Sequence, residues 1–224
     1  MPTIVAHDTS TDACSCALLQ DGAVHERFAV IPRQHAKELL PMLRALLLER
    51  DLRFEQLDAI AFGRGPGSFT GLRIAAGVTQ GLAYAANLPV IPVSTLAALA
   101  LQAREAASGR AILSVIDARI DEVYWALFKQ DDESNAPCLI GIEQLTKPEV
   151  IEIAAVHGPL LAVGSGLALA ERFPATLRER CAVRLPHEYP RAGAIARIAG
   201  VLDESGVRVR PQDCEPVYLR DQVA

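Results

Sequence analysis

The sequence predicts an α/β protein of two similarly built lobes, on three observations. Short apolar runs bounded by turn residues alternate with segments of helical period. A hairpin with a polar turn at residues 3–19 (TIVAHDTSTDACSCALL) returns at 112–128 (ILSVIDARIDEVYWALF). The composition, 50% hydrophobic and 22% charged over 224 residues, is that of a packed chain with ample core.

The first half reads in order as follows. Residues 3–7 form a strand and Asp8-Thr9-Ser10-Thr11-Asp12 a tight polar turn. Residues 13–19 form a second strand, Asp21-Gly22 is a hairpin turn, and 23–31 form a third. A helix spans 35–50, with Pro41 expected in its first turn or at a kink, because an interior proline removes a hydrogen bond. "LDAIAF" is a buried strand, the glycine-rich "GRGPGS" follows, and 70–87 is a helix. "LPVIPVS" is a strand and "STLAALALQARE" a further helix.

The second half restarts the pattern. At an offset of 109 residues, Asp8 falls on Asp117, Asp12 on Asp121, and Ala17-Leu18 on Ala126-Leu127. This places a division near Gly109, giving lobes 1–108 and 109–224. After the second hairpin come an acidic, solvated loop (KQDDESNAPC), a short strand in "PLLAVGSG", a loop, a helix around 191–205 and an ordered tail "EPVYLRDQVA".

Composition excludes several classes. Net charge is −5 and only three lysines occur (Lys37, Lys129, Lys147), so no basic patch for autonomous nucleic-acid binding is visible. No apolar run is long enough to cross a bilayer. "MPTIVAHDTS" carries no basic, apolar leader pattern, so a mature start and a cytoplasmic location are expected. The five cysteines (Cys14, Cys16, Cys138, Cys181, Cys214) are scattered and odd in number, as reduced thiols are. Cys14 and Cys16 share one strand face and read as small buried apolar residues. No histidine pair has the spacing of a helical metal site.

The stretch 61–77 (AFGRGPGSFTGLRIAAG) is the glycine-rich phosphate-loop candidate. It has no lysine, so it fails the P-loop pattern, and it matches neither G-x-G-x-x-G nor G-x-S-x-G. What remains is a strand-to-helix turn capped by Ser68 or Thr70. Its helix N-terminus, with Arg64 and Arg73 beside it, retains anion binding as the alternative. Asp8, Ser10 and Thr11 are likewise either a nucleotide-phosphate turn or an ordinary Asx turn.

The helices say more. On 70–87 the polar residues Arg73, Gln80 and Asn87 occupy one narrow stripe, and the remainder is apolar or small, which predicts burial almost all round. Gly77 and Gly81 lie one turn apart and admit a close backbone. On 35–50 a core arc runs from Met42 through Leu46, Leu39, Leu43 and Leu47 to Leu40, with Pro41, Ala45 and Leu48 in a second strip. A half of about 100 residues has too few elements to cover all of this, so these helices are expected to meet another protein.

The segments "IVAHDTSTDACSCALL", "RQHAKELLPML", "LDAIAFGRGPGSFTGLRIAAGVTQGLA", "PVSTLAALA", "IDARIDEVYWALF" and "EPVYLRDQVA" closely resemble the TsaB (YeaZ) family, in order and over essentially the whole chain. The resemblance implies the actin/sugar-kinase/Hsp70-like (ASKHA) fold, with two ribonuclease-H-like lobes. It implies a role in forming N6-threonylcarbamoyladenosine at position 37 of tRNAs that read ANN codons. In that family the protein is the non-catalytic paralogue of the metal-dependent transferase TsaD, binds it as a heterodimer, and is joined by the ATPase TsaE.

By the same resemblance, the TsaD-binding bundle uses His35, Leu39, Pro41, Met42, Ala45, Leu46 and Leu48 on one helix. On the other it uses Arg73, Ile74, Gly77, Gln80, Gly81 and Tyr84. Asp8, Ser10, Thr11, Arg64 and Ser68 then form a vestigial nucleotide or anion loop. No cofactor or metal is expected: the places of TsaD's metal histidines look like Thr95 and Leu99. tRNA is reached only through the complex, and the isolated chain has faces suited to a homodimer. His7 stands where an aliphatic residue is commoner in the family. Two other readings stay open: a peptidase acting on TsaD, with Ser68 and His35 or His187 as imagined nucleophile and base, and a nucleotide-binding, kinase-like enzyme.

Overall fold

A computed structural model describes residues 1–131 and 136–220. Two five-stranded mixed sheets organise it. The first runs in the order β3-β2-β1-β4-β5, from β1 (Ile4–Asp8), β2 (Ala13–Gln20), β3 (Ala23–Val30), β4 (Ala59–Gly65) and β5 (Val90–Ser94). The second runs β8-β7-β6-β9-β10, from β6 (Ala111–Arg119), β7 (Glu122–Lys129), β8 (Cys138–Thr146), β9 (Leu160–Val163) and β10 (Cys181–Leu185). Each sheet is an antiparallel three-strand meander whose first strand also pairs in parallel with the fourth, and the fourth with the fifth. The repeated hairpin of the sequence is thus a repeated sheet topology.

In the first unit β1–β3 follow the alternation of the sequence. Asp21 and Gly22 both have positive φ, the geometry of a tight two-residue hairpin. One sheet face presents Val5, Cys14, Cys16, Leu18, Ile60 and Phe62 to helices α1 (His35–Leu48) and α2 (Phe69–Ala86). Leu39, Leu43, Leu46, Leu47, Ala75, Ala76 and Ala83 close that core from the helix side. The two thiols are buried as expected, and burial pushes each up to about 12.

The opposite face carries Ser15 and Leu19 and is covered by α6 (Ala192–Glu204). That packing changes the division. The first unit is Met1–Ala98 with Pro190–Val217, and the second is Leu99–Tyr189 with the segment from Tyr218. The expected break at residue 108 differs from this, because α6 returns to the first sheet. Its Ala/Ile face packs on β1 and β2. The side chains of Ser15 and Glu26 accept the Ala192 and Gly193 amides at 2.9 and 2.7 Å, capping its N-terminus across the sheet.

Between the sheets in sequence lie α3 (Thr95–Gln102) and α4 (Arg104–Ala107), which split the single helix expected at 94–105. Pro41 sits in the second turn of α1, exposed, and the helix continues through it. In the second unit, Leu113, Val115, Val123, Trp125 and Leu127 pack on Leu167, Phe173 and Leu177 from residues 165–180, which include α5 (Ala175–Arg180). Strands β8 and β10 were not expected. β8 is a bulged edge strand whose register against β7 shifts, and Gly141 there takes φ +82°. Its irregular exposure erases the period-2 signal. The centre of the acidic loop (132–135) and the end of the tail (221–224) lie outside the described residues.

Candidate functional site

Two places carry the residues singled out in the sequence, both in the first unit: the paired turns at the sheet's end and the outer face of α1 and α2.

The β1–β2 turn is an Asx turn. Asp8 Oδ1 accepts the Ser10 amide at 3.0 Å and the Ser10 hydroxyl at 2.8 Å. The Thr9 hydroxyl donates to Gly71 O at 2.8 Å, and the Ser68 amide donates to Ser10 O at 2.7 Å. The β1–β2 turn and the β4–α2 turn are therefore docked into each other. Three glycines permit it. A Cβ at Gly71 would stand 1.9 Å from Thr9 O, one at Gly67 2.5 Å from Ser10 O, and one at Gly63 1.9 Å from Asp8 Oδ2. Gly67 and Gly71 thus make room for the chain's own backbone, and Gly63 for the Asp8 carboxylate.

Ser68 does cap α2, its hydroxyl accepting the Gly71 amide at 3.4 Å. Arg64 is half-buried, and its carbonyl accepts the Val217 amide at 2.7 Å. Thr11 is half-buried, and its hydroxyl accepts the Ala13 amide.

Burial governs the electrostatics. Asp8 has no exposed surface, Oδ2 has no hydrogen-bond partner among the described residues, and desolvation raises its pKa to about 6 against the two Ser10 hydrogen bonds. His7, on the opposite sheet face, is equally buried. Its Nε2 lies 2.8 Å from Thr79 Oγ1, its Nδ1 has no partner, and burial lowers its pKa to about 4. A neutral imidazole at a strand position suited to an aliphatic residue is tolerated because α2 supplies one hydroxyl.

The helix face divides the predicted interface residues. Pro41 and Leu48 are exposed, and Met42 and Ala45 are half-exposed. On α2, Arg73, Gly77, Gly81 and Tyr84 are exposed, the last at 81%, and Ile74 and Gln80 are half-exposed. Nothing lies within 4 Å of a Cβ built at Gly77 or Gly81. Three assigned residues are core instead. Leu39 and Leu46 pack under the sheet, and His35 is buried with Nε2 3.2 Å from Ala13 O. Leu40, placed in the core arc, is 40% exposed, because α1 rests on β2 and β3 and turns that edge outward. Nor is α2 buried almost all round; its Arg73–Tyr84 side is open. Gln80 is partly committed, donating to Cys214 O at 2.8 Å.

Comparison with known proteins now bears on this arrangement. A family model described as "TsaD: tRNA N6-adenosine threonylcarbamoyltransferase" matches residues 21–224. The tRNA threonylcarbamoyladenosine biosynthesis protein TsaB of Escherichia coli (strain K12) is 39% identical over 225 residues, covering 99% of this chain and 96% of that protein. TsaB of Haemophilus influenzae is 37% identical, covering 99% and 94%. A solved structure described as YeaZ from Pseudomonas aeruginosa superposes with TM-score 0.91 at 41% identity, covering 98% of this chain and 100% of that one.

The chain belongs to the TsaB family.

Its fold is accordingly the ASKHA fold expected from the sequence, and the duplicated sheet order is the mark of that fold within this chain. As a nucleotide-phosphate turn, one of the two readings left open by the sequence, the β1–β2 turn offers little: both Ser10 donors bond Asp8, and the β4–α2 turn is docked against it. The positions that the resemblance sets against TsaD's metal histidines do not suit a metal either. Thr95 is buried with its hydroxyl donated to Pro66 O at 2.5 Å, and Leu99 is buried and apolar. No group of three or more metal-ligating side chains occurs among the described residues. No described helix is long and apolar enough to cross a membrane.

Sequence reasoning missed Leu40 and Arg44 as face residues. The signal was available: Lys37, Pro41, Arg44 and Leu48 follow i, i+4, i+7, i+11 and share one helical stripe.

Proposed function

We propose that this chain is a subunit of the machinery that forms N6-threonylcarbamoyladenosine at position 37 of tRNAs reading ANN codons, and that it is non-catalytic. It binds and activates a TsaD-type transferase through the exposed face of α1 and α2, and helps recruit a TsaE-type ATPase. tRNA contact is made by the partners, consistent with a net charge of −5, and the location is cytoplasmic. The observation that supports the non-catalytic reading is the docking of the β1–β2 turn into the β4–α2 turn, which packs the chain's own backbone against Thr9 and Ser10. The peptidase alternative loses its His35 base, since that ring is buried against Ala13 O.

The interface comprises Pro41, Met42, Ala45, Leu48, Arg73, Ile74, Gly77, Gln80, Gly81 and Tyr84, with Leu40 added. Reconstitution of tRNA modification from purified components, with and without this chain, tests the reading. Modification that depends on the chain, and survives Asp8→Asn and Ser68→Ala, is the expected result. Full modification without it would end the subunit assignment, and loss of modification in a folded Ser68→Ala protein would end the non-catalytic one.

A further inference from the structure

Helix α2 is laid on the sheet by a stripe of small side chains. Its buried residues are Gly71, Leu72, Ala75, Ala76, Thr79 and Ala83, while Ile74, Val78 and Leu82 reach the core half-buried. Beyond Leu72 the buried stripe has no large side chain to seat against β4, the strand that α2 packs over. A smooth contact of this kind buries apolar surface without fixing how far the helix sits along or around its own axis. Polar contacts supply what the stripe lacks. At the N-terminal end the Thr9 hydroxyl donates to Gly71 O, and the Ser68 amide to Ser10 O. Eight residues beyond Gly71, about 12 Å at 1.5 Å per residue, Thr79 Oγ1 lies 2.8 Å from His7 Nε2. His7 is on β1, the central strand of the sheet, beside Phe62 of β4. Gln80 makes a further contact at 2.8 Å, but it is half-buried and reaches Cys214 O, outside the sheet.

The His7–Thr79 pair is a poor way to gain stability. Both residues have no exposed surface, His7 Nδ1 has no partner among the described residues, and burial lowers the ring to about 4. A neutral imidazole with one unsatisfied nitrogen is therefore sealed in the core, a cost that an aliphatic pair of similar volume would avoid. What the pair does have is direction. Resting on the function proposed above, we infer that the His7–Thr79 hydrogen bond is a register lock, which sets the position and rotation of α2 on the sheet and so the aim of its outer face. The Thr9–Gly71 contact alone is a pivot; a second fixed point on the same helix leaves one placement. His7 and Thr79 are positioning residues, buried beneath the docking face and acting through α2.

The test compares Thr79→Val, Thr79→Ser and the double variant His7→Leu with Thr79→Val against wild type, by urea unfolding and amide hydrogen exchange at pH 7.5. Thr79→Val strips the imidazole of its partner and should lower the folded-to-unfolded ratio about tenfold or more. The double variant should recover the wild-type ratio or exceed it. Its α2 amides over residues 75–86 should nonetheless exchange at least about tenfold faster, measured against the amides of β1 and β4. Thr79→Ser keeps the hydroxyl and should exchange as wild type does. A double variant no more stable than Thr79→Val makes the pair an ordinary stabilising contact and overturns the lock. So do α2 amides that keep wild-type protection in the double variant. Affinity for the TsaD-type transferase of the same organism, read by calorimetry, should fall about tenfold in the double variant and stay unchanged in Thr79→Ser. Equal affinity of the double variant and wild type overturns the step from register to docking. A wild-type chain that does not bind ends the proposed function, and the exchange data still decide the lock.

Discussion

His7 and Asp8 are neighbours in β1, fully buried on opposite sheet faces, and their burial produces pH dependences of opposite sign. The Asp8 carboxyl is raised from 3.8 to about 6, so the folded chain holds that proton more tightly than the unfolded chain. Its contribution to stability is present below pH 3.8 and is lost as pH rises through 6. The span of about two units is worth on the order of 3 kcal/mol, at 1.36 kcal/mol per unit. The His7 imidazole is lowered from 6.5 to about 4, so its contribution is present above pH 6.5 and is lost as pH falls through 4, again on the order of 3 kcal/mol. Between pH 4 and 6 the two slopes offset each other, and wild type shows neither. Single variants unmask them. Urea unfolding from pH 4.0 to 7.5 gives variant-minus-wild-type curves, in which constant packing costs and all other titrations cancel. The Asp8→Asn difference should rise by about 3 kcal/mol as pH goes from 4 to 6, since the asparagine keeps an acceptor for Ser10. The His7→Phe difference should fall by a similar amount between pH 4 and 6.5. Flat difference curves, or two slopes of the same sign, would refute the burial argument.

Three further outcomes are expected. Gly71→Ala places a Cβ 1.9 Å from Thr9 O, a backbone atom that cannot yield cheaply, and should lower stability by about 1–3 kcal/mol in urea melts. Gly81→Leu adds a Cβ with nothing within 4 Å of it, so its melting temperature should hold or rise slightly, while co-purification with a TsaD-type partner should be lost; retained complex would move the interface elsewhere. Ser15→Ala leaves the Ala192 amide buried without an acceptor and should cost about 1–3 kcal/mol. Glu26→Gln, which keeps an acceptor for Gly193 and weakens a partly exposed ion pair with Arg191, should cost under about 1 kcal/mol.

Much of this fold is legible wherever period and turn chemistry act locally. The β1–β3 meander, α1, α2 and β4 follow from alternation, from Asp21-Gly22, and from apolar spacing. The return of α6 to the first sheet is not legible, because its caps come from Ser15 and Glu26, more than 160 residues earlier. β8 and β10 were missed for a different reason: bulged or short edge strands lack a clean two-residue period. At the candidate site, residue types alone could not separate a phosphate cradle from a self-packed turn. Both need glycines next to hydroxyls, and only the Thr9–Gly71 and Ser10–Ser68 contacts decide. Helical spacing placed Leu39 and Leu46 in the core arc, where they lie; the family resemblance, which carries no depth, assigned them and His35 to the partner face.

The duplicated hairpin sharpens what an aspartate in such a turn signifies. Asp117 Oδ1 accepts the Arg119 amide at 2.8 Å, as Asp8 Oδ1 accepts the Ser10 amide at 3.0 Å, so both halves hold the same Asx turn at the end of the first strand. Their surroundings are unlike. Asp8 is sealed, with one oxygen unpartnered, while the Asp117 side chain is 32% exposed and lies 3.5 Å from the Arg119 guanidinium. A carboxylate that caps a backbone amide two residues on is doing what a turn requires in either setting. The aspartate at the first turn of this fold is therefore explained by backbone geometry in both lobes, and its presence is no argument for phosphate chemistry. In the first lobe the β4–α2 turn is packed directly against this turn. A substitution that opened that packing, Gly71→Ala included, would destabilise the unit without restoring a nucleotide site, because the Ser10 donors would remain bonded to Asp8.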